Sequence, residues 1–304
     1  MFLQAVMIVL LAPFIQGVIK KTKARMQNRI GPTVWQPYYD LMKFMKKDAV
    51  LSVHSSWLSV ATPYIVFVSI VTAGLFIPTY ITNNGLSFMG DIILIVYLFA
   101  VARFFTALSA LDAGGSFGGM GSSREMALSA ITEPALLLSV FAVLLSSGTT
   151  KLPDFIASLT SDGWSWFSPS YGLAFFAMLI VLIAETGRIP VDNPDTHLEL
   201  TMVHEGMLLE YSGRYLGLMM WAAQIKQLLL LSLFINLFFP WGIASLGGHM
   251  FVSFLLYVAK LIALGVLLAF IETMYAKIRL FKVPKLLGSS MILSLMAILL
   301  RVFE

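Results

Sequence analysis

Ile92–Leu111, IILIVYLFAVARFFTALSAL, decides the fold class: twenty consecutive residues carry a single charged side chain, Arg103. A helix rising 1.5 Å per residue needs about 20 apolar residues to cross a hydrocarbon core of roughly 30 Å. Working outward with a window of that length, seven further stretches have the same character. The expected spans are residues 2–19, 58–81, 92–111, 126–147, 171–189, 215–239, 251–276 and 286–303. They predict an all-α polytopic membrane protein of about eight transmembrane helices, with residues 1–304 forming a single integral-membrane domain.

Composition agrees. Hydrophobic residues make up 59% of the 304 and charged residues 12%, against about 25% charged in an ordinary soluble domain. The chain has no cysteine, which excludes disulfides, thiol nucleophiles and thiolate-held zinc or iron–sulfur sites within it. The first span lacks a basic stretch before it, with its positive charges following instead, so it does not read as a cleaved signal.

Lysine and arginine orient the spans. The long first loop holds Lys20, Lys21, Lys23, Arg25, Arg29, Lys43, Lys46 and Lys47, and the seventh holds Lys277, Arg279, Lys282 and Lys285. The second and sixth loops, residues 82–90 and 240–250, have none. Odd loops are therefore expected in the cytoplasm, and both termini outside. The net charge of +4 is absorbed by this pattern, and no basic-aromatic module points to nucleic acid.

Arg103, Glu133, Glu185, Lys226, Lys260 and Glu272 all lie within the expected spans. A charge at a helix centre costs about 2.5–3.5 kcal/mol on insertion scales, so such residues face a bundle interior or a wet cavity. Six together read as a polar pathway rather than as isolated struts, because helices are held together at lower cost by Ser, Thr or Asn. A carboxylate in such a place can change protonation when a neighbouring charge changes, as a proton relay requires.

The fifth loop crowds Arg188, Asp192, Asp195, His197, Glu199, His204, Glu205 and Glu210 together. Met202, Val203, Met207, Leu208 and Leu209 interleave with the acids, which predicts that the loop folds back on the bundle as a buried acidic strip. A zinc site fails the spacing test, since the second His expected four residues after His204 is Leu208. The glycine run Gly114–Gly121 has neither a preceding strand nor a Gly-Lys-Ser/Thr ending, and is expected to be a tight flexible loop between spans. No nucleophile setting for self-contained catalysis is present.

Three stretches carry a family resemblance. They are Ala24-Arg25-Met26-Gln27-Asn28-Arg29-Ile30-Gly31-Pro32 with Gln36-Pro37, Asp40 and Lys43; Leu111-Asp112 through Ser116-Phe117 and Arg124 to Glu133-Pro134; and Ala184-Glu185, Arg188, Pro190, Asp192, Asp195, Glu199-Leu200 and Glu210-Tyr211-Ser212-Gly213. Together they resemble the subunit 1 family of respiratory complex I. The resemblance is stronger to the membrane subunit of formate hydrogenlyase-type and other energy-converting [NiFe] hydrogenases, in which only a short spacer, here Thr33-Val34-Trp35, parts the Gly-Pro and Gln-Pro elements.

The resemblance implies a membrane-anchor and ion-channel subunit, not catalytic alone, in the prokaryotic inner membrane. Its implied partners are hydrogenase-like large and small peripheral subunits, an iron–sulfur subunit and antiporter-like membrane subunits. Those partners would carry the iron–sulfur clusters and the nickel–iron centre, and this chain no cofactor and no metal.

The implied path to protons or sodium runs through Glu133, Glu185, Asp192, Asp195, Glu199 and Glu210, joined by Glu205, Glu272 and the cations Lys226 and Lys260. Arm docking maps onto Arg25, Arg29, Gln36, Asp40, Asp112, Arg124, Arg188 and Tyr211. A segment of about three extra residues near Thr201–His204 departs from the family pattern. A quinone-site subunit of a respiratory NADH dehydrogenase is the alternative, and a stand-alone secondary ion transporter a second. The transporter reading lacks the paired halves typical of that class.

Overall fold

A computed structural model describes residues 2–52, 54–80, 90–161, 168–193, 202–243 and 250–303. Asp195, His197 and Glu199, and residues 82–89 of the second loop, lie outside the described residues. Among the described residues the chain forms ten α-helices and two short 3₁₀ turns: α1 Phe2–Met26, α2 Gln36–Lys46, α3 Trp57–Phe76, α4 Ile92–Asp112, α5 Ser116–Leu144, α6 Leu152–Ser161, α7 Pro169–Glu185, α8 Gly213–Phe238, α9 Met250–Met274 and α10 Val283–Phe303, with 3₁₀ turns at Glu205–Leu208 and Leu280–Lys282.

Seven of these helices are long and apolar enough to cross a membrane. The eighth expected span is α7, shorter at 17 residues, or about 25 Å. Hydropathy extends it to residue 189, but the helix stops at Glu185, because Gly187 takes a left-handed turn at φ +59° that a helix cannot continue through. Among the described residues the chain is thus helical without strands, and it is polytopic, as its hydropathy predicts.

Local chemistry sets other boundaries. Ser56 caps α3 by accepting from Leu58 N at 3.2 Å, and Asp91 caps α4 by accepting from Ile93 N at 3.0 Å. Each satisfies a backbone donor that the first turn leaves open.

The glycine run corrects its expectation. Residues 116–121 are the first turns of α5, which starts ten residues ahead of the expected 126. A Cβ on Gly118 would sit 2.9 Å from the Ala110 carbonyl oxygen of α4, and one on Gly121 would sit 3.1 Å from the Val203 carbonyl oxygen. The glycines let backbones approach closely, a use that composition alone does not distinguish from loop flexibility.

The first loop also holds more structure than expected. Its chain doubles back along α1, so closely that a Cβ on Gly17 would collide with the Val34 carbonyl oxygen. Trp35 packs on Phe14 with ring centroids 5.8 Å apart, and the Tyr38 hydroxyl donates to the Leu10 carbonyl. Helix α2 then buries Pro37 and Leu41 and exposes Tyr39 and Met42.

Helix α8 is the axis of the bundle, packing against α1, α2, α3, α7 and α9. Leu228–Leu231 and Leu233–Ile235 are each at most 1% exposed, as expected of a helix apolar on all sides. The outer helices α9 and α10 turn Phe251, Leu255, Phe270, Ile292 and Leu299 outward, toward the lipid that their composition requires.

Alternation of the helices is visible in the ties at their ends. Gln4 donates to the Ile77 carbonyl at 2.7 Å and Asn236 to the Pro78 carbonyl at 2.6 Å, joining α1, α3 and α8 at one end. At the other, basic end Val50 N donates to Ser212 Oγ at 2.7 Å, and Ser59 Oγ to Asp112 at 2.8 Å.

Candidate functional site

Helices α4, α5, α7 and α8 each bring ionisable side chains to one place. Arg103 of α4 is the hub, 8% exposed. Its Nη2 donates to both oxygens of Glu185 at 2.5 and 2.6 Å, its Nη1 donates to Glu133, and its Nε lies 3.3 Å from Glu125 Oε1. Lys226 of α8 reaches Glu185 Oε2 at 2.8 Å. Glu185 is thereby held by two cations, a planar fork and a point charge.

Two charge signs interleaved at this density offset much of the desolvation cost, but they do so only as a set. Removing a cation leaves buried carboxylates without their partner. Glu133 is the least enclosed, with 35% of its side chain exposed, against 1% for Glu185 and 11% for Glu125.

A second cluster lies nearer the basic end. Arg188, 4% exposed, donates to Glu272 at 3.0 Å, to Gln16 at 2.5 Å and to Gln227 at 2.8 Å, while Lys23 approaches Glu272 at 3.3 Å. Asp192 pairs with Lys277 at 2.7 Å, joining the fifth loop to the chain after α9.

The fifth loop does fold back: Met202, Val203 and Met207 are buried. His204 Nδ1 stands 3.3 Å from Glu125 Oε2. The facing carboxylate raises the His204 pKa above its ordinary value, because an adjacent anion favours the imidazolium. The acidic strip is less uniform than expected, with Asp192 buried, Glu205 half-buried and Glu210 exposed.

Three cavities adjoin these groups. One of about 20 Å³ lies among Arg103, Glu125 and Glu185, and one of about 50 Å³ beside Arg103 and Lys226. Each has room for at least one water, which needs about 10–15 Å³. The third is a chamber of about 410 Å³ bounded by Gln16 and Lys20 of α1, Arg188 and His204 of the fifth loop, and Gln224 and Gln227 of α8.

Other candidates go elsewhere. Lys260 donates at 2.7 Å to the Phe239 carbonyl and also to that of Trp241, with its ammonium 4.5 Å from the Trp241 ring centre. It closes the end of α8 far from Arg103. Among the docking candidates Arg25 and Arg29 are exposed, whereas Arg188 and Tyr211 are buried. Tyr211 hydrogen-bonds Ser109, and burial raises its pKa. Asp112 accepts from Ser56 N at 2.9 Å, Gln36 donates to Asp40 at 2.9 Å, and Arg124 donates to the Met202 carbonyl at 3.2 Å.

Sequence reasoning takes Glu125 as a helix end and so misses its place in the network, along with Gln16, Gln224 and Gln227. The signal present is that Glu125 lies eight residues, just over two turns, before Glu133, with Ser129 and Thr132 between them. Among the described residues no group of three His, Asp or Glu side chains is arranged to hold a metal ion.

The comparisons with known proteins match this architecture. A family model described as NADH dehydrogenase matches residues 1–302. The chain is 33% identical over 289 residues to formate hydrogenlyase subunit 4 of Escherichia coli (strain K12), covering 93% of this chain and 92% of that protein. It is 37% identical over 243 residues to hydrogenase-4 component C of the same organism, covering 80% and 75%. An NADH-quinone oxidoreductase subunit of Cytophaga hutchinsonii is 29% identical over 224 residues, covering 68% and 64%. A chain in the structure of the membrane-bound sulfane sulfur reductase, an archaeal respiratory membrane complex, shares the fold with TM-score 0.83 at 23% identity, covering 98% of both chains.

Proposed function

Because the chain belongs to the NADH dehydrogenase family and is a membrane subunit of a complex I-like complex, we propose that it couples redox chemistry in peripheral subunits to proton or sodium movement across the inner membrane. The peripheral arm in this reading is hydrogenase-like, docked on the basic end, with large and small subunits, an iron–sulfur subunit and a nickel–iron centre. Antiporter-like subunits adjoin it in the membrane. The similarity to the formate hydrogenlyase and hydrogenase-4 subunits supports that choice of arm.

The observation that carries the ion-path reading is the Arg103 network. Three carboxylates, Glu125, Glu133 and Glu185, converge on one guanidinium between helices that cross the membrane. A structural strut needs one partner, whereas a relay needs several acceptors of similar energy within a hydrogen bond or a water of one another. The two small cavities supply the water-sized gaps.

The test replaces Glu133 or Glu185 with Gln, keeping shape and most hydrogen bonding while removing the titratable proton. The expected complex assembles, turns over and loses ion pumping in vesicles. Full pumping by both variants ends the reading, and loss of assembled complex marks them as structural partners.

A quinone-site subunit is the second reading. The chamber of about 410 Å³ favours it, being within the range of small-molecule pockets. Purification in mild detergent with assays for nickel and quinone decides: nickel in a large subunit supports the hydrogenase arm, and bound quinone without nickel supports the alternative.

A further inference from the structure

One side chain borders all three cavities. His204 lines the 410 Å³ chamber, the 20 Å³ gap beside Glu125 and Glu185, and the 50 Å³ gap beside Arg103 and Lys226. Its Nδ1 is 3.3 Å from Glu125 Oε2, while 37% of the side chain is exposed. It therefore stands in the wall between the chamber and the buried ions, touching both.

Charge counting gives that position a chemical meaning. Glu125, Glu133 and Glu185 bring three negative charges, and Arg103 and Lys226 bring two positive ones. The set is one charge short of neutrality unless a proton is added, and a buried cluster favours neutrality because each uncompensated charge lacks solvation. An imidazolium at His204 supplies the missing charge.

The other charges facing His204 come from every element around it. Glu125 approaches from α5, Arg103 from α4 and Lys226 from α8. Asp192, whose Oδ2 accepts from His204 N at 3.3 Å and whose Oδ1 holds Lys277, lies on the fifth loop with Arg188 and Glu205. Lys20 and Lys23 face the chamber from α1.

We propose that His204 is a proton-transfer residue joining the chamber to the Arg103 network, an assignment that rests on the proton-path reading above. In the step, the imidazolium Nδ1–H transfers its proton to Glu125, leaving a neutral imidazole and a carboxylic acid. Glu125 passes its proton along the network toward Glu185 and Glu133, and the ring resets by turning the vacated Nδ1 toward the chamber, where it takes a proton from a hydrated proton and leaves water. No bond other than N–H and O–H changes, and no electron moves. Imidazole suits the post because it accepts and releases protons near neutral pH at two distinct nitrogens.

The experiment uses the whole complex in vesicles with a pH-sensitive dye inside. His204→Gln retains a hydrogen-bond donor toward Glu125 but carries no titratable proton, and is expected to assemble and lose proton uptake about tenfold or more. His204→Ala is expected to behave likewise and to recover uptake when imidazole is added. Full uptake in His204→Gln with an unchanged pH profile, while Glu185→Gln loses it, overturns the role of His204 and leaves the path standing. Full uptake in His204→Gln, Glu133→Gln and Glu185→Gln alike overturns the path itself. Uptake lost in His204→Ala, unrestored by imidazole and accompanied by protease cleavage between residues 202 and 210, makes His204 a latch and overturns the proposal.

Discussion

At the residue scale, Arg103 holds together what the helices alone would not. It is the only cation within reach of both Glu125 and Glu133 among the described residues, so its loss leaves those two carboxylates without their shared cation and Glu185 with Lys226 alone. Arg103→Met is expected to cost about 3–5 kcal/mol, seen as a lower thermal midpoint and a lower yield of complex. Adding Glu185→Gln should recover part of that loss, because the two sites are coupled; strictly additive losses would mean they are not. His204 adds a pH dependence. Its pKa in the folded protein is raised above 6.5 by the Glu125 carboxylate. Its stabilisation is therefore full below the unfolded value and lost as pH rises through the folded one. The thermal midpoint should fall as pH is raised from about 6.5 through that higher value, and His204→Gln should abolish the fall.

At the element scale, the start of α5 positions the fifth loop. Gly121 lies against Val203 and Gly206, where an added Cβ would meet backbone at 3.1 and 3.2 Å, and backbone cannot swing aside as a side chain can. Gly121→Ala should push the loop off α5 and speed protease cleavage between residues 202 and 210. Gly172→Ala in α7 is the control, since its added Cβ would have nothing within 4 Å. Helix propensity predicts up to about 1 kcal/mol of stabilisation there. Equal protease resistance in Gly121→Ala and wild type would show that the loop does not need the close approach.

At the scale of the molecule, the asymmetry of charge is expected to set the orientation of the bundle in its membrane and, under the proposed function, the face on which the arm docks. With the first and seventh loops rich in Lys and Arg, a reporter active only in the cytoplasm should be silent when fused after Asn84. Activity there would reverse the topology. Arg29 is exposed on the basic end, and exposed charges act mainly on partner choice and register. Arg29→Glu should release the peripheral arm while the bundle stays inserted, read as loss of the arm from detergent-purified complex. An intact complex carrying that substitution would remove Arg29 from the docking face.

Hydropathy and charge placement by themselves determined the fold class, the polytopic character of the chain and the presence of buried ionisable residues. Each is a property of a segment in its solvent: twenty apolar residues favour the bilayer whatever their neighbours do, and a charge among them must find company. The family motifs at Ala24–Pro32 and Ala184–Asp192 were legible for the same reason, being short and contiguous. Which charges pair was decided only by the tertiary structure. Glu125, Arg103, Glu185 and Lys226 come from four helices, and the packing of α4, α5, α7 and α8 brings them to one point. The same packing leaves Lys260 at the far end of α8 and turns the Gly118–Gly121 stretch from an expected loop into tight contacts with Ala110 of α4 and with Val203 and Gly206 of the fifth loop. Partners distant in sequence carry no mark of one another; only the folding of the helices, with its demand that buried charges be compensated, selects them.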